Sequence, residues 1–521
     1  MIHNPILRGF HPDPSIVRVN DDYYIATSTF EWFPGVLIHH SKDLVNWRPL
    51  TYPLTRPEHL QLAGTIDSGG VWAPCLTYDD GVFYLIYTDV KSRMGKFKDT
   101  HNYLVTATDI MGPWSDPIYL NSSGFDPSLF HDDDGRKWLL NMQWDHRQGN
   151  HPFGGILMQE YSPAERKLVG PVRNIFRGTE SGLTEGPHIY KRDGYYYLLT
   201  AEGGTRYDHQ VTMARSRQLE GPYEVSPNHP VLTSSGTPEL ELQKAGHGDL
   251  VETQTGEWYM VHLVGRPVRE GYCMLGRETA IQRCRWTEEG WLEVEGGPSP
   301  QLEVQPPALP LHPFEPLPET DHFDSPELGI QWNTLRIPAT PDWLSLTERP
   351  GHLRLYGQES PISINRQSLV ARRQQAMDCE AETSLDFDPQ HYPQMAGLIL
   401  YYDTQDYVYL RVSRDDEVGR CLNIFQSING KCEEALDREV SIAEQGNIRL
   451  KVVIRRERAQ FYYAEEGGDW TAIGPALDVS HLCDESPVYI RFTGTYIGVC
   501  VQDTSGTRLH ADFDYFRYTE Q

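Results

Sequence analysis

Residues 125–140 read FDPSLFHDDDGRKWLL. An aspartate precedes a proline, a short apolar run follows, an Asp-rich turn closes on glycine, and a second apolar run is anchored by Trp138. That order is the signature of a β-hairpin. Strand, turn and aromatic strand recur in that order in DPSIVRVNDDYYIA (13–26), WAPCLTYDDGVFYLIY (72–87), TEGPHIYKRDGYYYLL (184–199) and HGDLVETQTGEWYMVH (247–262). The aromatic anchors Tyr23, Phe83, Trp138, Tyr196 and Trp258 stand 60, 55, 58 and 62 residues apart. A period of that length is too long for a helical solenoid and suits a propeller blade of four strands with long loops. Five echoes predict five blades; the alternative is a sandwich with coincidentally regular strands.

The rest of the chain agrees with an all-β fold. Aromatics make up 11% of 521 residues, and 44 Gly and 37 Pro punctuate the sequence often, as strand-and-turn proteins require. Beyond Trp291 a proline falls every few residues, which predicts an extended seam over 306–321. We therefore expect a five-bladed β-propeller over 1–305, a linker over 306–321 and a jelly-roll-like β-sandwich over 322–521. Short alternating runs support the last, such as Ile448, Leu450, Val452 and Ile454 on one face and the string YVYLRV at 407–412.

Charge narrows the partners. Forty-six basic against 73 acidic residues give a formal charge of -27, a field that repels nucleic acid and anionic membranes. The first residues lack a secretory signal pattern, and no run approaches ~18 consecutive apolar residues. Eight cysteines lie scattered without CxxC or His-Cys spacing, which suits reduced, buried thiols rather than disulfides or a zinc site. The expectation is a cytoplasmic protein with no nucleic-acid or membrane partner.

Ten to twelve residues before each anchor stands one residue that breaks the apolar pattern: Asp13, Trp72, Asp126, Glu185 and His247. The first strand of each blade runs beside a propeller's axis, so these five should ring one cavity. Asp13 lies between Pro12 and Pro14, a stiff setting in which the following proline favours extended backbone. Three carboxylates and an aromatic around one hollow suggest glycosidic cleavage, which needs one protonated acid and one ionised partner. Trp72 reads equally as blade packing or a sugar platform, and His247 leans toward a structural or orienting role. Arg277 could pair with the acids, bind hydroxyls or bridge two blades.

The strings RGFHPDPSIVR, VWAPCL, FDPSLFHDDDG, GLTEGPHIY, AGHGDLVET and GRETAIQ resemble glycoside hydrolase family 43, within it the β-xylosidases built from a five-bladed propeller and a β-sandwich. The resemblance implies that Asp13 is a general base, Glu185 a general acid, and Asp126 the residue that orients Glu185 and raises its pKa. It implies an inverting, exo-acting enzyme that releases xylose from the non-reducing ends of short β-1,4-xylooligosaccharides. An α-L-arabinofuranosidase, or both activities, is the alternative, with a non-catalytic sugar-binding propeller behind it. The same comparison places Phe30, Trp72, Trp144, Thr205, His247 and Arg277 around the xylose, with Tyr496 of FTGTYIGV reaching in from the sandwich. It requires no cofactor, leaves room for a divalent ion such as calcium near His247, and suggests a homo-oligomer, dimer or tetramer.

Overall fold

The computed structural model describes residues 1–269 and 271–521, and the strand counts below refer to these. Five four-stranded antiparallel units follow one another along the chain, the fourth carrying one extra short strand. Their first strands are Ser15–Val19, Gly70–Asp79, Ser128–His131, Glu185–Arg192 and Gln243–Glu252. The Asp-Gly pairs act as the sequence predicts. Asp80 and Gly81 both have positive φ, as do Asp193 and Gly194, the conformation that a two-residue turn needs to follow strand twist.

Apolar clusters fill each gap between neighbouring blades. Ile25 meets Val261 between blades 5 and 1, Ile38 meets Leu85 between 1 and 2, and Ile86 meets Leu139 between 2 and 3. Leu140 with Leu198, then Leu199 with Met260, continue the series. Each blade thus buries both faces, and the ring is held by side chains that alternate along every strand. Residues 2–11 close it by running beside blade 5: Ile2–His3 pairs with Glu303–Val304, Leu7 bridges Thr279, and the His11 N–H donates to the Arg277 carbonyl at 3.0 Å.

The first strands share an unforeseen device. Asp13, Ala73, Asp126, Gly186 and His247 all have positive φ, between 30° and 57°, just before the paired strand in blades 1 and 3 and within it in blades 2, 4 and 5. In blades 2, 4 and 5 the ladder slips register at this point, as at a β-bulge. This corrects the expectation of extended backbone at Asp13. Its carbonyl-side proline stiffens the turn, but Ser28 and Arg277 fix the side chain and hold the residue in the left-handed region.

The second domain stacks two antiparallel sheets. Its sheet begins at Thr320–Asp321, paired with Phe516 and Arg517, two residues before the expected boundary. Ile448–Arg455 alternates buried and half-buried side chains as read from sequence. The other sheet is buried on both faces: Leu398, Leu410 and Val499 enter the sandwich core, while Tyr401, Tyr409 and Tyr496 pack against the propeller. The propeller even supplies a strand to it, because Trp32–Phe33 pairs with Thr334 and Leu335. The linker between the domains is tied down on its way, with the His312 N–H donating to Asp43 at 2.7 Å.

Candidate active site

The kinks described above turn one side chain from each blade toward a cavity of ≈ 680 Å³ at the axis, lined by Asp13, Trp72, Asp126, Glu185 and His247. Residues 234 positions apart are thereby gathered at one place. Asp13 is 5% exposed. One carboxylate oxygen accepts from Ser28 Oγ at 2.6 Å and the other from Arg277 Nη1 at 3.0 Å. Ser28 also accepts from the Ala73 N–H at 2.8 Å, so the hydroxyl ties Asp13 to the kink of the next blade.

Asp126 accepts from the Gly186 N–H at 3.1 Å, which locks it to the residue that follows Glu185. A Cβ on Gly186 would stand 3.1 Å from the His247 ring at a φ of +57°, so glycine alone allows this approach. Burial, reinforced by Asp13, pushes the Asp126 carboxyl up to about 8. Glu185 opens partly onto the cavity. Desolvation first, then Asp126 and Asp13, hold its carboxyl well above the usual range, against the opposing pull of Arg277.

Arg277 is 4% exposed and spends its donors on three partners: Asp13, Thr205 Oγ1 at 3.0 Å and the Phe492 carbonyl at 3.0 Å. Two of the roles open to it from sequence are met together: it pairs with an acid, and the pair bridges blades 5 and 1. His247 places Nδ1 3.9 Å from Asp13, and burial holds its imidazole down to about 4. Among the described residues no group of three or more His, Cys, Asp or Glu side chains is arranged to hold a metal ion. Asp13, the carboxylate beside His247, is engaged by Arg277 and Ser28.

Phe30, Trp72, Trp144 and Thr205 all line the cavity. Trp72 is both packing and wall: its Nε1 donates to the Ser68 carbonyl at 2.9 Å, and its ring meets Phe125 and Phe492 edge-on at 5.3 Å. Tyr496 does not reach the cavity. It is fully buried, stacked on Trp32 with ring centroids 3.8 Å apart, because its strand faces it toward the domain interface. The sandwich contributes Phe492 instead, with Val488, Tyr489 and Ile490 at the rim. The Phe492 N–H donates to Ser68 Oγ at 3.1 Å. Phe492 opens the very string FTGTYIGV from which Tyr496 was chosen, so a signal was present. Phe125, Phe153, Arg93 and Arg206, also in the lining, carried none.

An aromatic-walled pocket holding three carboxylates, two of them protonation-shifted, is the equipment of a carboxylate-dependent glycosidase. Residues 2–292 match the family model for glycosyl hydrolases family 43, and residues 320–519 match that of the beta xylosidase C-terminal Concanavalin A-like domain. The chain belongs to glycoside hydrolase family 43. It is 52% identical to a Beta-xylosidase of Bacillus subtilis (strain 168), with both chains covered completely. It is 51% identical to Xylosidase/arabinosidase 43B of Humicola insolens, over 99% of this chain and 97% of that one. Its fold matches the crystal structure of xylan beta-1,4-xylosidase from Bacillus Halodurans C-125 at a TM-score of 0.99 and 63% identity, over the whole of both chains.

Proposed function

We propose that this glycoside hydrolase is an inverting, exo-acting β-xylosidase that releases single xyloses from the non-reducing ends of short β-1,4-xylooligosaccharides. One observation carries the reading: Asp13 and Glu185 face the same cavity in opposite settings. Glu185 keeps its proton by burial beside two other acids and delivers it to the leaving oxygen. Asp13, oriented by Ser28 and Arg277, accepts a proton from the water that attacks the anomeric carbon. Inversion needs the two carboxyls about 6.5–9.5 Å apart, with room for that water. Asp126 orients Glu185 through Gly186. Val488, Tyr489, Ile490 and Phe492 wall one side of the cavity, which favours a chain end over a chain middle.

Xylose as the sugar is supported by the names of the relatives, one of which also carries arabinosidase activity in its name. Action in the cytoplasm on imported oligomers is supported by eight free cysteines, seven of them buried. Proton NMR of xylobiose hydrolysis tests the mechanism: the first xylose signal should be the α anomer, and a β product overturns inversion. Comparing kcat/KM on aryl xyloside and aryl arabinofuranoside decides the sugar, the second reading being correct if the arabinofuranoside is preferred.

A further inference from the structure

Behind the strand that carries Asp13 lies a second, smaller cavity of ≈ 70 Å³ between the two domains. His11 and His39 line it from the propeller, and Arg372 and Arg373 from the sandwich strand Ser368–Arg373. No carboxylate lines it among the described residues. All four side chains are more than nine-tenths buried. Arg373 donates from Nε to the Phe10 carbonyl at 2.7 Å and from Nη1 to Asn333 at 2.8 Å, yet its Nη2 has no partner within the protein. Arg372 Nε, His11 Nδ1 and His39 Nδ1 are buried without partners as well.

A guanidinium out of water is costly unless an opposite charge accompanies it. Four of the eight buried arginines among the described residues have one, Arg336 meeting Asp67 at 2.7 Å and Arg491 meeting Asp406 at 2.6 Å among them. Among the described residues neither Arg372 nor Arg373 is paired with a carboxylate; Glu520 and Asp321 influence Arg372 only from a distance. Water could satisfy the free N–H groups but not the charge. Burial and Arg373 hold both imidazoles far below their usual range, so each ring is neutral and still has one N–H to donate. A cation would be repelled, and a sugar would not fit a space of about two water molecules.

We propose that this cavity binds one small inorganic anion, of halide or tetrahedral oxyanion class, held by Arg373, His11 and His39. The anion clasps the sandwich to the segment that presents the base. The same segment is pinned elsewhere by the His11 carbonyl, which accepts from Thr279 Oγ1 at 2.6 Å.

The test begins with protein exchanged into halide-free, phosphate-free buffer. Its thermal midpoint is followed against chloride, bromide, sulfate or phosphate from 0 to 100 mM, with ionic strength held constant by gluconate, which is too large for the cavity. A saturable rise of about 2–4 °C with at least one small anion is expected, and the effective arm tells halide from oxyanion. The rise should vanish in Arg373→Met or, if that variant does not fold, in His39→Phe. Crystals soaked in whichever anion gave the rise should show its density peak between Arg373 and His39, anomalous for bromide. Insensitivity to all four anions, an equal rise in the variants, or no peak at this cavity would overturn the proposal.

Discussion

Asp126→Asn is expected to make the protein sturdier and nearly inactive at once, and the structure sets the size of the first effect. Buried beside Asp13, the carboxyl titrates at about 8 in the folded protein against 3.8 in a free chain. The folded state therefore holds a proton that the unfolded chain releases from about pH 4 upward. Stability contributed below pH 3.8 is lost as pH rises to about 8. Some four pH units at about 1.4 kcal/mol each put the ceiling near 6 kcal/mol. Water entering the cavity as the charge forms should reduce the loss to about 2–4 kcal/mol. Asparagine keeps the carbonyl oxygen that accepts from Gly186 but never ionises, so it escapes the loss. The assay is the thermal midpoint of both proteins at pH 4.5, 6 and 8. The variant should match the wild type at pH 4.5 and exceed it by several degrees at pH 8, while kcat/KM falls by on the order of 10²-fold. A difference that does not change with pH, or a less stable variant at pH 8, would refute the reasoning.

Three further substitutions examine the pocket wall and what holds it. Phe492→Ala should lower kcat/KM by about ten- to thirtyfold, mostly through KM, whereas Tyr496→Phe removes a buried hydroxyl without a partner and should leave kinetics unchanged and stability equal or up by about 1 kcal/mol. Ser68→Ala strips the Phe492 N–H of its acceptor and should cost about 1–3 kcal/mol of stability, with KM rising several-fold more than kcat falls, read by steady-state kinetics beside thermal melts.

The blades were legible because each repeats the same local instruction: apolar strand, an Asp-Gly or similar turn, aromatic strand. Their assembly follows from a period that a ring must satisfy. The five axial residues were legible for the same reason, since equivalent places in a repeat become equivalent places around an axis. The backbone at those places was not. A proline after Asp13 argues for extended geometry, and only the tertiary pull of Ser28 and Arg277 selects a positive φ. Contacts across hundreds of residues were hidden in the same way. Tyr496 and Phe492 sit four apart in one aromatic string, and nothing local tells which faces the hollow and which stacks on Trp32. The charge of Arg373 likewise gives no sign that it lies beside His11, two residues from Asp13.

Trp32–Phe33 leaves the catalytic ring to become the outermost strand of the sandwich's inner sheet. Severing the polypeptide in its proline seam would consequently not yield two free-standing proteins. Residues 1–305 alone would expose a raw strand edge and an oily face of tyrosine partners, inviting aggregation, and would offer the sugar a pocket with one side torn away. Anyone shortening or shuffling such enzymes should treat the carboxyl-terminal half as an organ of the catalyst, to be exchanged only together with the strand that stitches it in place.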